Sequence, residues 1–134
     1  MTVGDRNTCG RRTTRRLFCW GDNSWGQLPV VGVLYGSFLD SPAQVEDSLT
    51  NWAGIGVGLG TCGLRTNGRL FCSANPGLIE PTGGHTDWEA ITVGWGYQCA
   101  LRGSGRLYCY GTNGDGQLGD GTIITRFDPV EVVA

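Results

Sequence analysis

Six cysteines arranged as three pairs at one spacing constrain this chain more than any other feature. Cys9 and Cys19, Cys62 and Cys72, and Cys99 and Cys109 each lie ten residues apart. The segments around them read alike: TCGRRTTRRLFCWG, TCGLRTNGRLFCSA and QCALRGSGRLYCYG. Self-similarity of this kind marks one supersecondary unit used three times. A repeat array works by presenting a surface more than by housing one catalytic pocket.

The stretch inside each pair reads as a β-hairpin. Leu64 and Arg65 precede Asn67-Gly68, and Leu70 and Phe71 follow; apolar residues flanking a glycine turn are the hairpin signal. Each pair is centred on a residue, 14, 67 or 104. A loop of odd length, most simply three residues with glycine in the left-handed conformation, therefore sets the two cysteines opposite each other. A two-residue turn would slip the register by one and separate them. Opposed, non-hydrogen-bonded positions bring Cα atoms to about 4.5 Å, within disulfide reach. Three cross-strand disulfides are expected, each contributing roughly 2–3 kcal/mol through loop entropy. The competing reading is six reduced cysteines buried in a cytosolic protein.

The first hairpin departs from the others. Its turn, Thr13-Thr14-Arg15, offers no glycine for a positive φ, so it is either strained or wider. It also carries Arg11, Arg12, Arg15 and Arg16. These four make a candidate anion-binding tip, against the plainer reading of a solvated turn with mutually repelling charges.

Further strands flank each hairpin. Trp52-Ala53-Gly54-Ile55 leads to Cys62, and Trp88-Glu89-Ala90-Ile91-Thr92-Val93 leads to Cys99. Downstream, WGDNSWGQL after Cys19 matches YGTNGDGQLGDGT, a turn whose Asn and Asp suit the capping of backbone groups. Pro42 and Pro129 then open the last short strands, as a sheet tolerates proline at a strand start or edge. Short strands, many glycine turns and no helical periodicity predict an all-β fold of propeller blades. The combined pattern W..I..G...C.L...GRL.C.G.N..GQLGDGT....PV.V resembles the regulator of chromosome condensation repeat family. The resemblance covers nearly the whole chain, and the segment after Cys72 fits least well. It implies four-stranded antiparallel blades stacked around a central channel. The cysteine-bearing version is more similar to extracytoplasmic members than to the nuclear founder. The expectation is one repeat domain over 1–134, with blades near 1–50, 51–86 and 87–134, as a partial propeller or a ring closed by oligomerisation. The run Val30–Gly36 reads as either an inserted strand or a protruding loop.

Other chemistries find little support. The net charge of −2 favours neither nucleic acid nor a membrane surface. All ten basic residues are arginine, which excludes Schiff-base lysine chemistry and a phosphate-binding P-loop. No C-x₂₋₄-C pair marks zinc, and Asn113–Asp120 lacks the alternating acids of a calcium loop. His85 lies near Asp87 but beside no marked nucleophile and reads as a solvated loop residue. No catalytic residue, metal or cofactor is expected. The start MTVGDRNTCG has none of the marks of a signal peptide, yet disulfides imply an extracellular or periplasmic setting. Val93, Trp95, Tyr97, Cys99 and Leu101 share one strand parity and read in part as inter-blade core. Trp25, Trp95 and Tyr97 are candidate binding residues, Trp25 as an exposed anchor. The chain is expected to be a non-enzymatic scaffold for a protein partner, as a homo-oligomer or part of a larger propeller. The alternatives are a self-assembling propeller module and an enzyme-inhibitor or carbohydrate-binding propeller.

Overall fold

A computed structural model describes residues 1–45, 50–73, 78–81 and 84–133. Twelve strands form three four-stranded antiparallel sheets, each in sequence order. The first holds β1 (Thr2–Val3), β2 (Asn7–Arg11), β3 (Leu17–Asn23) and β4 (Ser37–Gln44). The second holds β5 (Trp52–Val57), β6 (Thr61–Arg65), β7 (Leu70–Ser73) and β8 (Leu78–Ile79). The third holds β9 (Trp88–Val93), β10 (Tyr97–Arg102), β11 (Leu107–Gly111) and β12 (Arg126–Glu131). No helix among the described residues is long and apolar enough to cross a membrane.

The hairpin register places Cys9 opposite Cys19, Cys62 opposite Cys72 and Cys99 opposite Cys109. All three pairs are disulfide-bonded, with Cα separations of 4.2, 4.0 and 4.1 Å. The three turns are built alike. Arg65 N donates to Arg69 O and Gly68 N to Arg65 O, and the same two bonds recur at Arg12–Arg16 and Arg102–Arg106. Gly68 and Gly105 take φ of 76° and 78°, and Arg15 takes φ of 60° at the same place. The first turn is therefore strained, not wider. A side chain in this region costs roughly 1–2 kcal/mol.

Two expectations about the outer strands change. Pro42 and Pro129 lie inside β4 and β12 instead of opening them. Each lies within a register shift against the preceding strand, opposite Cys19–Gly21 for Pro42 and Cys109–Gly111 for Pro129. An irregular edge strand has no ladder bond there for proline to break. Residues 30–36 form a loop between β3 and β4, with Val30 buried and Leu34 and Tyr35 exposed. The stretch that breaks the repeat after Cys72 falls partly on 74–77 and 82–83, outside the described residues.

The core lies in two seams between sheets. In the first seam, Cys9, Leu17, Cys19, Leu28 and Val45 pack against Trp52 and Val57. In the second, Cys62, Leu64, Leu70 and Cys72 pack against Trp88, Ala100 and Tyr110. Each seam thus sets the cystine face of one sheet against the tryptophan-bearing strand of the next. Arg11 ties the first seam further, donating to Trp52 O at 2.9 Å. The Tyr110 hydroxyl lies 2.8 Å from Cys72 Sγ, and burial raises its pKa. The third cystine face has no following sheet among the described residues, and Leu107 is 42% exposed where Leu70 is 1%.

Candidate functional site

Antiparallel order fixes which loops share an end of the stack. The hairpin turns inside the cystine pairs lie at one end. The β1–β2, β5–β6 and β9–β10 turns and the long β3–β4 loop lie at the other. At that second end the three short turns abut one another. Leu59 N donates to Gly94 O at 3.2 Å, and a Cβ added at Gly4 would lie 2.8 Å from Gly58 O. The turns are glycine-rich because the backbones approach this closely.

The β3–β4 loop is held by buried polar groups. Asn23 Oδ1 accepts from Leu28 N at 2.9 Å, and its Nδ2 donates to Leu34 O at 3.0 Å. Gln27 Oε1 accepts from Trp25 N at 2.9 Å. The G-x-N-x-x-G-Q-L motif recurs in the third sheet, where Asn113 accepts from Leu118 N and Gln117 from Asp115 N, each at 2.9 Å. Asn, Gln and Leu thus fold the turn inward and push the residue before its glycine outward. That residue is Trp25 in the first sheet and Asp115 in the third.

Trp25 is 69% exposed and Trp95, in the β9–β10 turn, is 70% exposed. Both line a groove of about 500 Å³, together with Asp5, Arg6, Asn7, Asp22, Gln27, Gly58 and Leu59. A shallower hollow shares Trp25, Gln27 and Leu59 and extends past Ser73 and Gln98. Asp22 N donates to Arg6 O at 2.8 Å, joining the β3 end to the first turn. The Ser24 hydroxyl and backbone N–H both bond to Asp22 Oδ1. These bonds, with the nearby Arg6 charge, hold the Asp22 carboxyl below its ordinary pKa. Asp5 makes no ion pair among the described residues. Asn7 is buried, and its Nδ2 has no hydrogen-bond partner among the described residues. The groove offers two indole walls, one guanidinium and two carboxylates, groups suited to contacting a ligand.

The sequence-level candidates separate in space. Trp25 and Trp95 meet in the groove. Tyr97 does not wall it: its ring lies against the Gly94 backbone, where an added Cβ would meet it at 2.7 Å. The parity argument fails at Trp95, because β9 ends at Val93 and β10 starts at Tyr97. A turn interrupts the alternation and releases the indole to solvent. The four arginines belong to the opposite end. Arg11 is engaged with Trp52 O, and the Arg12 guanidinium sits 4.4 Å from the Phe18 ring centroid. Arg15 and Arg16 are exposed. His85 lies in a loop, partly exposed, with its ring edge-on to Trp88 at a centroid separation of 5.7 Å. Asp120 accepts from Arg126 Nε and from the Thr122 hydroxyl, each at 2.7 Å, as part of a loop-closing network. No group of three His, Cys, Asp or Glu side chains that could hold a metal occurs among the described residues.

Asp5, Arg6, Asn7, Asp22 and Leu59 were not legible as a site. The available signal was the short turn before each first cysteine, Gly4-Asp5-Arg6, Gly58-Leu59-Gly60 and Gly94-Trp95-Gly96. Its central residue varies, and the second turn is one residue shorter than the other two, closing through Gly58 N to Gly60 O where they close through Gly4 N to Asn7 O and Gly94 N to Tyr97 O.

A sequence model described as "Regulator of chromosome condensation (RCC1) repeat" matches residues 1–27. A comparison with curated proteins found no match. Solved structures do match. Prp20p from Saccharomyces cerevisiae, described with its binding to Gsp1p and histones, superposes with a TM-score of 0.87 at 16% identity, over 98% of this chain and 37% of that one. Human WBSCR16 gives 0.81 at 20% identity, over 96% and 38%. A structure of Kap60 bound to yeast RCC1 (Prp20) gives 0.82 at 15% identity, over 98% and 36%. This chain spans little more than a third of the length of these neighbours, and at such identities the likeness shows the fold. The chain thus folds as three four-stranded β-propeller blades, and its residues 1–27 match the regulator of chromosome condensation repeat model.

Proposed function

We propose that this segment is a non-enzymatic protein-binding scaffold and that the groove at its turn end is the contact surface. The observation that carries this reading is the convergence of Trp25 and Trp95. Two large exposed indoles, from the first and third sheets, share one concave surface of about 500 Å³. Exposed tryptophan is rare unless it serves recognition, and it is enriched among the residues that dominate interfaces. One propeller neighbour, Prp20, is described with its binding to Gsp1p and histones and, in a second structure, is bound to Kap60. That context supports a binding role and leaves the partner of this chain open. The disulfides suit an oxidising compartment, so we place the protein outside the cytosol. The one-domain division into blades 1–50, 51–86 and 87–134 belongs to the same proposal.

The test is quantitative capture on immobilised protein. Proteins retained by the wild type should lose about tenfold or more in affinity to Trp25→Ala or Trp95→Ala. Thr13→Ala, at the opposite end, should leave retention unchanged. Equal effects of all three variants would remove the groove from the account.

A second reading has its own observation. Leu107, Cys99 and Val132 lie on a cystine face whose counterparts are buried in both seams. The first sheet presents Phe18 and Trp20, half-exposed, on its opposite side. A second copy stacking head to tail would bury both faces. Mass in solution tests this: a concentration-independent monomer removes self-assembly.

A further inference from the structure

We infer that the Trp25–Trp95 groove takes a basic side chain, arginine or lysine, presented on an extended segment of a protein partner. The inference rests on the protein-binding reading above and names the chemistry of the ligand.

Three independent features converge. First, the walls are indoles, the aromatic faces that attract cations most strongly, and both stand in solvent. Second, the charge is unbalanced. Asp5 and Asp22 contribute two carboxylates against the one guanidinium of Arg6. Asp22 is already engaged with Ser24 and the Arg6 charge, whereas Asp5 has no ion pair among the described residues. A neutral ligand can give that carboxylate a hydrogen bond only, a cation gives it a charge-assisted one, and an acidic ligand is repelled by it. Third, a neighbouring hollow past Ser73 and Gln98 adjoins the groove at Trp25, Gln27 and Leu59, leaving room for the backbone that flanks the cation.

The third sheet supplies an internal contrast. Asp115 occupies the position of Trp25 in the same loop motif. The indole is thus a property of one loop and not a requirement of the repeat.

The probe is the capped tripeptide acetyl-Gly-Arg-Gly-amide, compared with its citrulline counterpart, which keeps the shape and removes the charge. Cellotetraose serves as the neutral sugar. Each is titrated into 5-fluorotryptophan-labelled protein and followed at the Trp25 and Trp95 fluorine resonances. The arginine peptide should bind about tenfold more tightly than the citrulline peptide, and raising salt should shrink the difference. Asp5→Asn, an exposed isosteric change, should weaken the arginine peptide alone. Equal binding of the two peptides, response to cellotetraose only, or no response to arginine at either resonance would each overturn the basic slot. The broader reading fails separately. A captured protein lost by Trp25→Ala but held equally by Asp5→Asn keeps the protein-binding surface and rejects the slot.

Discussion

The seams and the turn end of this molecule use the same residue type for opposite purposes. Trp52 is fully buried in the first seam, edge-on to Phe71 with centroids 6.3 Å apart, and Trp88 is nearly as buried in the second. Trp25 and Trp95 stand mostly in solvent. Hydrophobicity does not separate these four; backbone context does. Trp52 and Trp88 begin strands that stack on a neighbouring sheet, whereas the other two sit in turns where no sheet can follow. Burial here follows from neighbours along the stack, and exposure from the end of a strand.

The widest gap between the regions should appear in the tryptophans themselves. Trp52→Ala should cost about 3–5 kcal/mol in denaturant unfolding, because it removes a ring from a filled seam. Trp25→Ala and Trp95→Ala should stay within about 0.5 kcal/mol of wild type, as surface changes do. A large loss at Trp95 would mean that the turn belongs to the core after all.

Leucine sharpens the comparison at constant chemistry. Leu17, Leu70 and Leu107 occupy one position of the repeat, yet only the first two are buried. Leu70→Ala should cost about 2–5 kcal/mol and Leu107→Ala well under half as much. Equal costs in the monomer would show that something covers the third face.

A smaller effect separates the hairpin turns. Arg15→Gly should raise stability by about 1 kcal/mol, since glycine accepts the left-handed conformation that arginine holds under strain. Gly68→Arg should do the reverse. No gain at Arg15 would place compensating contacts on its side chain.

The gentlest test is pH. The Thr122 hydroxyl, then Arg126, hold the Asp120 carboxyl at about 2, below its ordinary 3.8. Since the folded value lies below the unfolded one, the network's contribution is complete above about pH 4 and is lost as pH falls towards 2. Asp120→Asn should be less stable at neutral pH and flatter across that window. An identical acid limb in both proteins would remove Asp120 as its cause.

Much of the fold is legible because the repeat states it three times. The odd centre of each cysteine pair determines the register, and Asn67-Gly68 marks the turn that sets it. The motif G-x-N-x-x-G-Q-L announces its own structure, with Asn23 and Asn113 capping the loops from within. The groove is less legible for a physical reason. Asp5, Leu59 and Trp95 lie in three turns far apart in sequence, and only sheet stacking brings them together. Strand parity even misplaced Trp95, since alternation carries no mark of where a strand stops. Arg11 likewise read as a solvated charge until the next sheet supplied the Trp52 carbonyl it bonds.

The most direct test of the account is the solvent exposure of the five tryptophans, read by fluorine NMR of 5-fluorotryptophan protein with a soluble paramagnetic agent. Trp25 and Trp95 should broaden strongly, Trp20 partly, and Trp52 and Trp88 hardly at all. Protection of Trp95 alongside Trp52 and Trp88 would contradict the account, because the groove would then have lost one of its two walls to the core.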